Sequence, residues 1–181
     1  IRNILDIGKQ LPIKVFYLLP VPGYIQNGKF GHNGNLNIKE MNEMLSWEEC
    51  VGTCDTFATE IINGNKDLID LCRKAQRLGK KISGHGSQLS NNQINEWIRI
   101  IKETDDHECK AENEMLYKLR RGIGISMRLA SGSEDLHNLV NLLKINKHID
   151  TRKITLNADV ISASDLKHKG YLDRAINIVI K

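Results

Sequence analysis

An α/β fold built on a parallel sheet is what this sequence predicts, and three features carry that expectation. Short apolar runs alternate with stretches of helical periodicity. Polar loops separate them at intervals of about twenty to thirty residues, the spacing of repeated strand-loop-helix units. The prolines are Pro12, Pro20 and Pro22, so little interrupts the later helices. Strands are expected near Val15, Val51, Ile82, Ile101 to Thr104, Ile125 and Ile154. A doubly wound sheet and a (β/α) barrel both accommodate such units, and in both, ligand chemistry gathers at the C-terminal ends of the strands. A closed barrel of about eight strands needs two more than these.

The elements follow in order. Val15 to Leu19 form a compact apolar run closed by Pro20, Pro22 and Gly23, read as a buried strand feeding a loop. That loop, Pro20 to Asn37, is rich in Gly and Asn, and its length marks a lid or binding loop. "NIKEMNEMLSW" places Ile38, Met41, Met44 and Leu45 on one helical face, and "CVGTCDTF" is a short strand ending in polar residues. "NKDLIDLCRKAQRLGKK" carries a stripe of Leu68, Ile69, Cys72, Ala75 and Leu78, with Gly79 as C-cap. The strand "KISGHG" follows, then the helix "SNNQINEWIRIIKE" with Ile94, Trp97, Ile98 and Ile101 along its apolar side. Beyond "TDDHEC" come the helix "AENEMLYKLRRG", the strand "IGISMRLASG" and the helix "EDLHNLVNLLKINKH". The strand "KITLNADV" and the helical "SASDLKHKGYLDRAINIVIK" complete the series.

Composition narrows the class. The 181 residues suit one domain, 40% of them hydrophobic, with a core large enough to need no disulfide staples. A net charge of +4, with basic residues spread among acidic ones, argues against nucleic acid as partner. Cys50, Cys54, Cys72 and Cys109 lack zinc-finger spacing and read as free thiols of a reducing cytoplasm. No apolar run is long enough for a membrane span, and the N-terminal residues lack a signal-peptide pattern. Ile1 in place of Met implies a processed, trimmed or partial chain.

Four residues stand at corresponding strand ends. Asp55 ends "VGTCD", His85 ends "KISGH", His107 follows the strand before "TDDHE", and Asp159 ends "KITLNAD". The fold would bring all four to one rim, and imidazole nitrogens with carboxylate oxygens suit Zn, Mn or Fe(II). Such an ion lowers the pKa of a bound water. Local structure competes as an explanation. Asp55 and Asp159 can form turns or caps, Asp106 and Glu108 can favour a helix start, and Asp105 and Asp106 read best as local structure. His32, in the long loop, is a candidate substrate contact, whereas His137, His148 and His168 read as surface or half-buried residues.

The motifs resemble the adenine deaminases of the amidohydrolase superfamily. That family carries a Gly-His-Ala-Pro-Gly-Leu-Ser segment, a Ser-Asp-His-Glu-Cys segment opening a helix that ends Leu-Arg-Xaa-Gly, then Arg-Glu-Gly-Ser and Thr-Asp-Asp segments. The matching stretches here are "GHGSQLS" from Gly84, "DDHEC" from Asp105, "KLRRG" from Lys118, "MRLAS" from Met127 and "NADV" before "SDLKHKGYLD". "VFYLLPVPG" and "VGTCD" stand for an apolar strand ending in proline and a Val-Gly-Leu-Gly-Glu strand. The order is kept through almost the whole chain, and "DHEC" leading to "KLRRG" is its most specific part.

The resemblance implies a metal-dependent hydrolase-type (β/α) TIM barrel, with residues 1–181 forming a partial barrel domain of about six β/α units. It implies hydrolytic deamination of adenine to hypoxanthine and ammonia by a metal-activated water, in the cytoplasm, with one or two Mn, Fe or Zn ions. His85, His107, Asp159 and Asp55 would be metal ligands, and Asp159 would also take the water's proton. Glu108 would deliver a proton to the purine, with Arg128 and Ser131 near that substrate. The departures are equally definite. Asp55 replaces a bridging glutamate, Val160 replaces the second acid of the Asp-Asp pair, "LA" follows Arg128 in place of Glu-Gly, and "GSQ" replaces Ala-Pro-Gly after His85. The family's first-strand His-Xaa-His has no counterpart. Another segment or self-association would complete the barrel. The alternatives are a catalytically degenerate scaffold or subunit, a hydrolase of another purine or cyclic amide, and a metal-free doubly wound protein that binds a small molecule with the Pro20–Asn37 loop.

Overall fold

The computed structural model describes residues 1–21, 37–102 and 105–181. Six strands form one parallel sheet in the order of the chain: β1 (Tyr17–Pro20), β2 (Cys50–Phe57), β3 (Lys81–His85), β4 (Asp105–Asp106), β5 (Gly124–Arg128) and β6 (Ile154–Asn157). A doubly wound sheet reverses its strand order at a switch point. This one never reverses, so it is the open arc of a (β/α) barrel. Among the described residues β1 pairs only with β2, and β6 only with β5.

Helices fill the crossovers. In chain order they are α1 (Arg2–Gly8), α2 (Ile38–Leu45), α3 (Ala58–Ile62), α4 (Lys66–Arg77), α5 (Asn91–Ile100), α6 (Glu112–Arg120), α7 (Leu136–Ile145), α8 (Ala163–Lys169) and α9 (Leu172–Ile180). Their starts are written in side chains. Asn37 and Glu40 form a capping box for α2, as Ser90 and Gln93 do for α5, each satisfying two otherwise orphan backbone donors. Helix α4 ends at Leu78, and Gly79 takes the left-handed turn (φ 68°) just beyond it.

The core falls into two clusters. Leu19, Met41, Leu45, Leu68, Cys72, Ile82, Ile94 and Trp97 pack helices α2 to α5 against the first three strands. Met115, Ile125, Met127, Leu136, Leu139 and Ala175 pack α6, α7 and α9 against the last two. Between these clusters lies β4, and it is shorter and later than the sequence predicts. The expected strand at Ile101 to Thr104 is Asp105–Asp106 instead; Glu103 and Thr104 lie outside the described residues. Ile101 is spent on the helix before it, donating its N–H to the Trp97 carbonyl and burying its side chain in the core. Likewise the first strand begins at Tyr17 rather than Val15. Among the described residues no helix is long and apolar enough to cross a membrane.

Strands β2 and β3 approach with no room to spare at Gly52, where an added Cβ would sit 2.1 Å from the Lys81 carbonyl oxygen. That obstacle is backbone and cannot swing aside. Gly52→Ala is therefore expected to prise the two strands apart and cost about 1–3 kcal/mol, the range of core overpacking. Urea unfolding measures it, and an unchanged midpoint would show that the strands yield freely.

Candidate metal centre at the C-terminal rim of the sheet

Pairing register brings the first residues of the site together. Ser83 and Gly84 of β3 lie opposite Asp105 and Asp106 of β4, and the Ser83 hydroxyl donates to Asp105 Oδ1 at 2.6 Å. One step beyond the paired positions, His85 leaves β3; His107 leaves β4 likewise. Their rings meet edge to face, centroids 4.5 Å apart, with the two Nε2 atoms 2.8 Å from each other. Phe57 closes the other side of His85, its ring centroid at 4.9 Å.

Asp55 arrives by a backbone device. Thr53 of β2 faces Ile82 and Thr56 faces Gly84, so Cys54 and Asp55 together span the single position of Ser83. This bulge lies inside β2, where the sequence pattern ends the strand at Asp55. Asp55 adopts φ 53°, and the buried hydroxyls of Thr53 and Thr56 bridge the bulge at 3.2 Å. A bulge re-aims a side chain. Here it sets Asp55 Oδ1 2.9 Å from His85 Nε2 and 3.7 Å from His107 Nε2.

Asp55, His85 and His107 thus offer three ligand atoms within 4.8 Å of one another, all half-buried. Two imidazole nitrogens and a carboxylate oxygen are the donors that Zn, Mn and Fe(II) accept, so the residues present fit a divalent transition ion. The electrostatics agree. The hydrogen bond from His85 holds the Asp55 carboxyl below its ordinary range, against the opposing effect of burial. Burial pulls the His85 imidazole down, but the Asp55 hydrogen bond and the charges of Glu108, Asp55 and Asp106 outweigh it and raise the pKa.

The remaining predicted residues gather around Arg128, at the end of β5. Its guanidinium, 5% exposed, donates from Nη1 to Glu108 Oε1 and to Asp159 Oδ2, both at 3.0 Å. Its other nitrogens reach Asp135 Oδ2 at 2.9 and 3.1 Å and Ser133 Oγ at 3.1 Å. Glu108 spans the two groups, since its Oε2 lies 3.8 Å from His85 Nδ1. Asp159, at φ 49° and steadied by the Asn157 side chain at 2.7 Å, stands on the Arg128 side, outside the close group of three. Ser131 ties the loops after β5 and β6 together: its N–H donates to the Val160 carbonyl at 3.1 Å, and its hydroxyl accepts from Ser162 N at 2.8 Å. His32 lies outside the described residues. Cys54 joins neither group; burial pushes its thiol up to about 12, which keeps it protonated.

Residues that the sequence pattern did not single out sit beneath the rim. Lys118, fully buried, donates to Asp106, to Glu114 Oε1 at 2.6 Å and to the Gly86 carbonyl at 2.8 Å. The available signal was Glu114 and Lys118 at i,i+4 with Met115 between them on the same helical face, a charged pair where an apolar stripe belongs. A separate cavity of about 570 Å³, lined by Leu116, Leu119, Arg120, Ile145, Ile149 and Lys153 among others, lies by the segments that lead into β5 and β6, and none of the candidate ligands lines it.

Comparison with known proteins adds a likeness to adenine deaminases. No family model matches the chain. The adenine deaminase of Staphylothermus marinus is 30% identical over 181 residues, covering 98% of this chain and 30% of that protein. Adenine deaminase 2 of Desulfotalea psychrophila is 28% identical over 96% of the chain, and the adenine deaminase of Ligilactobacillus salivarius 32% identical over 81%. The chain spans about 30% of the length of the first two and 25% of the third.

The Asp55–His85 pair dictates a pH signature in the metal-free chain. The lowered Asp55 pKa contributes stability that is complete above the unfolded value of about 3.9 and is lost as pH falls through the folded one. The raised His85 pKa contributes stability complete below about 6.5 and lost as pH rises through its folded value. With chelator present, urea midpoints of the chain and of Asp55→Asn should differ most between about pH 4 and 6.5 and less in mild alkali, where the His85 contribution is lost. An equal gap from about pH 4 into mild alkali would mean that the two groups do not pair.

Proposed function

We propose, from the premise that this chain is a divergent member of the adenine deaminase family, that it carries the metal-binding part of a hydrolase converting adenine to hypoxanthine and ammonia. The observation that carries the proposal is the convergence of Asp55, His85 and His107 on one point at the rim of a parallel sheet. In this reading those three residues hold one or two Zn, Mn or Fe ions, with Asp159 as a further ligand across the site. A bound ion of this kind supplies a water acidic enough to lose a proton near neutral pH.

The chain's own residues then do the proton work. Asp159 accepts the proton of the water that attacks the ring carbon bearing the amine. Glu108, across Arg128 from it, would deliver a proton to the purine ring nitrogen and regain one from the hydroxyl of the adduct, while Asp159 would pass the water's proton to the departing amine, so that the carbon–nitrogen bond breaks with release of neutral ammonia. Arg128 is committed to three carboxylates, which favours a role in holding Glu108 and Asp159 apart from each other and in place over direct contact with the base. Ser131 and His32 remain the residues proposed for contact with the purine. The four cysteine thiols support a reducing, cytoplasmic setting.

Exposed apolar side chains on the segments flanking the edge strands support completion of the barrel by another segment or a second copy. Ile4, Ile7, Ile13 and Phe16 flank β1, and Leu166, Ile176, Val179 and Ile180 follow β6. The same openness leaves a second reading, a scaffold or subunit active only with a partner.

Produced with Zn, Mn or Fe supplementation, the chain should carry stoichiometric metal, and His107→Ala should lose nearly all of it by elemental analysis. Adenine absorbance should fall as hypoxanthine forms, by this chain alone or once a barrel-completing segment is supplied. A chain that stays metal-free under every supplementation would remove the self-contained site.

A further inference from the structure

Among the described residues, the buried ammonium of Lys118 touches both loops that carry the histidines. Its three N–H bonds find three acceptors: the Gly86 carbonyl, Asp106 Oδ2 and Glu114 Oε1. Gly86 follows His85 directly, and Asp106 precedes His107. Two further bonds extend the grip. Asp106 Oδ1 accepts from the Glu108 backbone N–H at 2.8 Å, fixing the turn in which His107 sits. Glu114 Oε1 accepts from the Gln88 backbone N–H at 3.1 Å, fixing the loop after His85 at φ 60°. Gly86 leaves no slack, for an added Cβ would lie 2.3 Å from the Trp97 ring and 2.7 Å from Asp106 Oδ2. Each histidine-bearing turn is thus tied to one ammonium by two contacts, one direct and one through a carboxylate.

We propose that Lys118 is a positioning residue, which acts through Gly86 and Asp106 to set the separation and mutual angle of the His85 and His107 rings. A cluster serving stability alone needs only neutralised charges. This one sets two buried carboxylates against one ammonium. Its bonds also end on the backbone of the two turns that present the rings. The extension to metal binding rests on the function proposed above; the geometric claim does not.

The experiment separates the two. Lys118→Met alone strands two buried carboxylates and is expected to fold poorly. The companion variant Lys118→Met/Asp106→Asn/Glu114→Gln removes all three charges with little change of volume, and it is expected to unfold cooperatively. In the metal-free protein at low temperature, NMR should show NOEs between the ring protons of His85 and His107, whose centroids lie 4.5 Å apart, and the companion variant should lose that signal. Cobalt(II), used as a spectroscopic probe, should bind the variant about 10- to 100-fold more weakly, with an altered visible spectrum, as when residues supporting metal ligands are lost. Retention of the inter-ring NOEs by the folded variant would overturn the proposal whatever the metal result. A parent chain that shows the signal but binds no cobalt would overturn the metal-site reading and leave the positioning role standing.

Discussion

Two residues of strand join the molecule's two cores within the sheet. Asp105 and Asp106 pair with Ser83 and Gly84 on one side and with Gly124 and Ile125 on the other. On one flank lies the core of α2 to α5, and on the other the core of α6, α7 and α9. So short a strand contributes few ladder bonds, and its side chains are acids, so apolar burial cannot secure it. The ammonium of Lys118 does that work from below, and the Ser83 hydroxyl helps at Asp105. Removing one partner from a buried charge cluster costs about 3–5 kcal/mol, a large part of the stability of a domain this size. The same two residues deliver His107 to His85, which makes the joint of the sheet and the floor of the site one structure.

The rim above that joint is where local backbone preference gives way. Asp55, Gln88 and Asp159 are the non-glycine residues with positive φ among those described, and all three border the candidate site. Left-handed conformations cost L-residues about 1–2 kcal/mol each, with Asp among the side chains that tolerate them best. Strain of this kind persists only where its surroundings over-determine it. Here the surroundings can be named: the bulge and threonine bridge at Asp55, Glu114 at Gln88, and Asn157 at Asp159. Gln88 is informative because glycine occupies the corresponding place in the deaminase motif the sequence resembles. A residue that bears strain where glycine would not must draw its compensation from a tertiary contact.

What could be read from the sequence divides along that line between local and non-local. Helical stripes and capping boxes are local patterns, and the alternation of units is enough to place five of the six strands close to their true positions. The other, expected at Ile101 to Thr104, falls later because Ile101 closes the preceding helix and the pairing falls to two aspartates. At the site, strand-end placement brings His85 and His107 together, because parallel strands in register end side by side. The engagement of Arg128 with Glu108, Asp135 and Asp159 is invisible to periodicity, since those partners come from three different loops. Lys118 was hidden for the same reason. A lysine in a helix reads as solvated until the elements around it are known.

The short side chain at position 55 tests how far such compensation reaches. The motif resembled carries glutamate here, and aspartate has one methylene less with which to reach the histidines. Here the backbone path brings that carboxylate to them. One extra residue in β2 and a left-handed turn at Asp55 advance the whole residue toward the rim, until its carboxylate accepts a hydrogen bond from His85 at 2.9 Å. Side-chain length and backbone path are interchangeable means of placing a donor atom, but they differ in what they tolerate. A flexible glutamate can follow a shifting partner, whereas a carboxylate set by a bulge is fixed to the sheet and moves only with it. The candidate centre is therefore as rigid as the β2–β3–β4 pairing beneath it. The chemistry of its rim depends on the close approach at Gly52 and the buried charges at Lys118 as much as on the three side chains that face the ion.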